Sequence, residues 1–450
     1  MDNFVSVIFA NTYSYKDREH IYEAVNLAID KLNIRKVIKP GMNVLIKPNL
    51  VMDVNHNKEG GTDCLYTQAV VVEPVLKVVI ECLCGQGSIV IGDAPMQECV
   101  FDNIVGYKQL VEKYSDCGIP IKLVDFRELT SYIRDGIHYQ SIREDANGSI
   151  INLGKDSEFY ISNLSDGSKM RVTNYDPRIL PRHHHDDIHE YYVSNYLLNA
   201  DVIINMPKPK SHRKGGVTIS LKNLVGINTR KEFLPHHMKG SKADGGDEYL
   251  KKSGVHNLRS SLLDIKNTLV ADNKHSLAKI LKYPIGLCSF ILKTTGNAYS
   301  EGSWYGNDTI SKTIVDLNRI AKYADKKGVI KSTPQRAMVI VADMIVAGEK
   351  EGPVNPSPKE TGIIVAGMNS VCFDEVVSTL MGFDYHKIPS IVRARQSKGK
   401  LKLINDDEKA VIISNNSKID GKTVSDLMPE DLFWFEATSG WKNHIELELK

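Results

Sequence analysis

Apolar positions in the first 130 residues fall into short runs that alternate between two periods. Phe-Val-Ser-Val-Ile-Phe-Ala at 4–10 is rich in β-branched and aromatic residues and predicts a strand. Ile21, Ala24, Val25, Ala28, Ile29 and Leu32 recur at helical spacing and predict a helix over 17–33. Val44-Leu45-Ile46 predicts a buried strand that stops at Pro48, since proline lacks the ladder N–H. The same reading predicts helices over 68–84 and 101–117, and strands over Ser88–Ile91 and Ile121–Phe126. Strand and helix in alternation predict an α/β protein, a mainly parallel sheet flanked by helices.

The pattern breaks at 131–190, where short β-like pieces are divided by Asn147-Gly148, Asp166-Gly167 and Asp176-Pro177. That predicts a β-rich insertion with hairpins. Alternation resumes with a helix over Tyr191–Leu198 and a strand over Asp201–Asn205. A helical insertion is predicted over 250–300. A helix over 307–325, strands over Ala337–Asp343 and Gly362–Ala366, and a helix over Phe373–Met381 follow. The tail reads as β-like at Ala410–Ile413 and His444–Glu448. The expected divisions are 1–130, 131–190, 191–249, 250–300 and 301–450.

At 450 residues the chain is expected to form two or three lobes. With 57 basic and 55 acidic residues the net charge is +2, which argues against a general nucleic-acid or membrane-surface binder. Seven cysteines without a Cys-x-x-Cys pair, and a start without a basic and apolar leader, point to reduced thiols and a cytoplasmic location. The most apolar window, Ile280–Leu292, holds only 13 residues and reads as a core or groove helix.

Candidate chemistry gathers at strand ends, where α/β sheets bind ligands. The run 201–228 ends a strand at Pro207 and continues with Lys208, Lys210, His212, Arg213, Lys214 and Gly215-Gly216. Basic groups and close backbone N–H groups there suit phosphate or carboxylate, although a solvated basic loop has the same composition. Thr218, Lys222 and Asn223 follow in an otherwise apolar stretch, which a solvated loop does not explain. Asp93, Asp343 and Asp374 stand at a strand end or helix start. There they can hold a divalent cation, move protons or cap the next helix, and Asp374 fits the cap best. Lys47 and Asn49, with Thr62 and Thr67, could add to the same rim, or Lys47 could be a surface residue. Glu351 could join Asp343. His183-His184-His185-Asp186-Asp187-Ile188-His189 invites a metal reading, but its spacing fits no standard site. His236-His237 is weaker still.

Val44-Leu-Ile-Lys-Pro-Asn-Leu50, Ile91-Gly-Asp93, Asp201 to His212, Val217 to Gly226, and Ala342-Asp343 with Glu351-Gly-Pro353 together resemble the DUF family numbered 362. The motifs span roughly 44–382. Trp304 to Asp308 and Asp316-Leu-Asn318 look like a long-form subgroup. The resemblance implies no settled activity. It implies a shared site for Lys47, Asn49, Asp93, Lys210, His212 and Thr218, with Lys222, Asn223, Asp343 and Asp374. Some relatives carry a cysteine-rich ferredoxin-like segment that this chain lacks, so an iron–sulfur cluster is not expected. Thr67-Gln-Ala69 departs from the family's Thr-x-Pro.

The leading expectation is an enzyme acting on an anionic small molecule. Lys210, His212 and Lys222 would hold the anion, Asp93 and Asp343 would bind a divalent metal ion or move protons, and His212 would be the acid/base. The alternative is a non-catalytic carrier of a metal or cofactor. Nucleic-acid binding through 208–214 ranks third.

Overall fold

Residues 44–46 and 202–205 are buried on both faces of one sheet, because helices cover it from either side. The computed structural model describes residues 3–448 apart from 165, 298, 398 and 406. Ten strands form the main sheet: β1 (Phe4–Phe9), β2 (Asn43–Pro48), β3 (Ser88–Asp93), β4 (Ile121–Asp125), β5 (Val202–Met206), β6 (Lys210–His212), β7 (Gly216–Thr218), β8 (Ala337–Glu351), β9 (Asn355–Gly367) and β10 (Val411–Ser414). Across the sheet the order is β10-β1-β9-β8-β5-β2-β3-β4, with β6 and β7 attached beside β8. The pairs β8–β5, β5–β2, β2–β3 and β3–β4 are parallel, while β9 runs antiparallel to both neighbours. The fold is therefore α/β with a mixed, mostly parallel sheet. It draws strands from 1–130, 191–249 and 301–450 alike.

Successive side chains of the central strands enter opposite cores, as a period of two requires. Val44, Ile46, Val202 and Ile204 pack with the helices Arg18–Lys31 and Ala69–Leu83. Leu45, Ile203 and Ile340 pack with the helices Thr309–Tyr323 and Ser370–Leu380. After β2 the chain builds β3 and β4 on one side, then returns to place β5 and β8 on the other. The strand order reverses between β2 and β5, and the crevice beyond their carboxyl ends is where doubly wound sheets bind ligands.

Several elements differ from expectation. The helix predicted over Tyr191–Leu198 is the end of a strand, Ile188–Ser194, followed by one turn at Asn195–Leu198. Tyr191 and Val193 are buried and Tyr192 is not, a period of two that pairs with Gly148–Asn152. The helix predicted over 101–117 shrinks to Tyr107–Lys113. The helix expected to open at Phe373 begins at Ser370 and is capped by Asn369, whose side chain accepts from Val371 N at 2.9 Å. His444–Glu448 forms a single bridge, Phe383 to Glu446, and no strand.

The β-rich insertion includes a hairpin, Leu129–Arg134 with Ile137–Ile142. Asp135 and Gly136 turn it with φ of 52° and 73°, the type I′ geometry that matches strand twist. The helical insertion folds as Gly254–Ala271, His275–Ile280 and Lys282–Thr294.

Candidate anion-binding site

The register that pairs Asn205 with Lys47 and Met206 with Pro48 brings the ends of β2 and β5 level. Lys47 is fully buried and its Nζ donates to Asp93 Oδ1 at 2.7 Å. Asp93 also accepts Leu50 N at 2.7 Å and Ala94 N at 2.9 Å. Burial lowers the Lys47 pKa, and Asp93 opposes that fall. Beside this pair runs an amide chain. Lys210 Nζ donates to Asn49 Oδ1, Asn49 Nδ2 to Asn223 Oδ1, and Asn223 Nδ2 to Asn205 Oδ1, at 2.9, 2.9 and 2.7 Å. Gly226 closes over the pair, since a Cβ there would lie 2.0 Å from Asp93 Oδ1.

A cavity of about 180 Å³ opens above these residues. Asn49, Asp93, Lys210, His212, Thr218, Lys222 and Asn223 line it, and Lys214, Lys231, His236, Arg213 and Glu98, the last 3.3 Å from His138 Nδ1, add to its polar wall. Its four lysines find only neutral partners. Lys210 donates to Asn49 and to Leu65 O, Lys214 to Thr173 Oγ1 at 2.8 Å, and Lys231 to Ala94 O at 2.8 Å. Lys222 Nζ makes no hydrogen bond or ion pair within the described residues. Desolvation, with repulsion from neighbouring cations, lowers Lys210 and Lys222 to about 7 and Lys214 and Lys231 to about 8.

The two histidines face the cavity in different tautomers. His212 Nδ1 accepts from Lys214 N at 3.0 Å and Gly215 N at 3.2 Å, which leaves the proton on Nε2. His236 Nδ1 donates to Leu234 O at 2.8 Å, which leaves Nε2 an acceptor. Burial first, then Lys222 among the surrounding cations, pushes His212 well below its ordinary pKa. Its expected role as a near-neutral acid/base rested on an unperturbed imidazole. With its Nδ1 accepting from the backbone, it is instead a neutral N–H donor to the cavity. Thr218 Oγ1 is buried on the cavity wall without a hydrogen-bond partner.

The three carboxylates proposed as metal ligands do not converge. Asp93 answers Lys47. Asp343 lies off the cavity and answers Lys208 Nζ at 2.9 Å, Tyr15 Oη at 2.6 Å and Gln68 N at 2.9 Å. Asp374 accepts Ser220 N at 2.9 Å and Leu221 N at 3.1 Å. It therefore caps the turn Ser220–Asn223, not its own helix, and desolvation raises it to about 7. Ammonium and N–H groups stand where a cation would need to be. Among the described residues no group of three or more His, Cys, Asp or Glu could hold a metal ion.

Other candidates also separate. His183 turns to Glu190 at 2.7 Å, His184 is buried against Tyr191, and His185 pairs with Asp186 at the surface. Glu351 lies eight positions beyond Asp343 on one strand, roughly 26 Å away at ~3.3 Å per residue, and accepts Ser439 N. Thr67 Oγ1 holds the backbone, donating to Met206 O and accepting from Asn49 N. Lys231 and Thr173 carry no sequence signal, because they lie in segments that fold over the cavity from far along the chain.

The molecule is thus an α/β protein with a cation-lined cavity beyond the carboxyl ends of its central strands. Residues 161–379 match the model of the family described as "Domain of unknown function (DUF362)", the family its motifs resemble. No curated protein matches the chain.

Proposed function

We propose that the chain binds an anionic small molecule, phosphorylated or carboxylated, in this cavity and acts on it as an enzyme. The observation behind the reading is four lysines turned onto one small cavity, three with only neutral oxygens for partners and Lys222 with none. Buried cations are normally paired. Lys210 and Lys214 are buried and Lys222 and Lys231 half-buried, so the set is held charged at neutral pH best when an anion in the cavity answers it. Thr218 Oγ1 and the Nε2 proton of His212 add hydrogen-bonding groups for the same ligand.

The same geometry suits proton transfer. Lysines poised at about 7 can accept or return a proton near neutrality, which ordinary lysines cannot. An anion in the cavity offsets the local positive charge and raises the pKa of each neighbour, His212 included. The carrier alternative uses the same residues without turnover. The test is native mass spectrometry of the gently purified protein, followed by a turnover screen over phosphate esters and carboxylates. An anion retained by the wild type and lost from Lys210→Ala/His212→Ala places the ligand. Turnover lost in His212→Ala with binding largely kept supports the enzyme. Binding without any turnover supports the carrier, and no anion affinity in any assay refutes both.

A further inference from the structure

The helical insertion presents apolar side chains to solvent instead of burying them. In the helix Lys282–Thr294, Tyr283, Leu287 and Phe290 are 82%, 61% and 65% exposed, and Ile280 just before it is 62% exposed. Positions 283, 287, 290 and 294 share one face of a helix. The opposite side of the same helix carries Cys288 and Leu292, which are buried against the protein. The exposed stripe is therefore the outer face of a helix already packed on its inner face. This overturns the expectation of a core or groove helix.

The charge around the stripe is of one sign. From Lys274 to Asn297 the chain holds Lys274, Lys279, Lys282 and Lys293 and no aspartate or glutamate, in a protein otherwise balanced. Lys282 and Lys293 flank the stripe on one side. Lys282 Nζ donates to Asp135 O of the hairpin, and the long stem of Lys293 can lie along apolar surface and lift its ammonium group. Two acids reach the segment from neighbours. Asp135 of the hairpin binds Lys279 at 2.9 Å, and Asp272 stands 3.7 Å from Lys274. The hairpin also braces the insertion, since Ile137 packs with Val270 and Ala278 and Tyr139 stacks near His275 at 4.2 Å.

We infer that this face docks on the surface of an anionic lipid bilayer, with Ile280, Tyr283, Leu287 and Phe290 in the headgroup–acyl boundary and the lysines among the headgroups. An amphipathic helix with aromatic and aliphatic residues on one side and lysines along its flank has the composition of an interfacial helix. No helix among the described residues is long and apolar enough to cross a membrane, so the contact is with the surface. Pairing with a second copy is disfavoured by the same charges. An antiparallel two-fold contact on this face sets Lys282 of each copy near Lys293 of the other, with no carboxylate from 274–297 to answer them. The inference is independent of the cavity.

The test is flotation of the full chain with vesicles of phosphatidylcholine, alone or with about a third phosphatidylglycerol. The expected result is co-flotation with the anionic vesicles, weaker at high salt and weaker on phosphatidylcholine alone. Leu287→Ser/Phe290→Ser should lower partitioning ~10-fold or more, and Lys274→Gln/Lys293→Gln should lower it several-fold on anionic vesicles only. These positions are exposed, and unchanged melting midpoints would show that the variants fold. No wild-type flotation on either vesicle overturns the inference, as does flotation untouched by Leu287→Ser/Phe290→Ser. A dimer in light scattering that Leu287→Ser/Phe290→Ser dissociates makes the face an interface between copies and overturns it too.

Discussion

Filling the cavity with an anion should draw protons from solution. Lys210 is fully buried, and its pKa falls from 10.5 to about 7. A fall of that size corresponds to about 5 kcal/mol opposing its charged form, at ~1.4 kcal/mol per unit. Lys222 falls as far but is half-buried, so solvent screens part of its cost. The unfolded chain keeps these protons up to the ordinary lysine pKa. Between about 7 and 10.5 it therefore holds more protons than the empty folded protein, whose stability from these groups rises with pH. A bound dianion reverses the balance by favouring the charged lysines. Calorimetry with sulfate, which does not titrate in this range, in buffers of different ionisation enthalpy should show uptake of roughly one to three protons per anion near pH 8. Affinity should fall at least ~10-fold per pH unit from about pH 7 to about pH 9. Sulfate binding with no proton uptake and no pH dependence would refute the reasoning, because the lysines would then be charged already.

Other consequences follow from single positions. Lys222→Met should weaken sulfate binding ~10-fold or more in the same calorimetry, and should leave the melting midpoint unchanged or higher, because it removes an unpaired cation and no internal bond. Gly226→Ala should destabilise the protein by ~2–4 kcal/mol in urea unfolding, since its methyl lands on the Lys47–Asp93 pair. Asp374→Ala should cost ~1–2 kcal/mol by the same measure through loss of the cap on Ser220–Asn223, with sulfate binding reduced far less than in Lys222→Met.

Strand ends were legible because the chain advertises them. Lys47, Asp93 and Lys210 each close or follow an apolar run, and Lys222 and Asn223 stand out in apolar surroundings. The topology then carries Asn49, Asp93, Lys210, His212, Thr218, Lys222 and Asn223 to one cavity. Pairing was not legible. Asp343 looks equivalent to Asp93 in sequence, yet it meets Lys208, because its strand β8 and Asp93's strand β3 lie on opposite sides of β5 in the sheet. Asp374 reads as a cap of its own helix, but its carboxylate reaches a turn 154 positions away. Tyr191–Leu198 misled through its mixed composition, since the partner strand Gly148–Asn152 lies outside any local window. Lys231 carries no local signal and the pair His236-His237 only a weak metal one, because the folding of their loop aims them inward, Lys231 onto Ala94 O and His236 onto Leu234 O.

The adjacency of β5 and β2 bears on how the chain can be divided. Residues 161–379 contain β5 and β8, but β2 and β3 lie outside them. Cut out as a separate polypeptide, that stretch would carry Lys210, Lys214, Lys222 and Lys231 without Lys47, Asn49 or Asp93. The side of β5 that pairs with β2 would become a raw edge, open to any strand that met it. Recombinant work on the stretch alone would thus meet insolubility before it met a ligand. Pieces made separately, 1–160 and 161–450, could regain the cavity only by reassembling the sheet where they meet, β2 against β5 and β1 between β9 and β10.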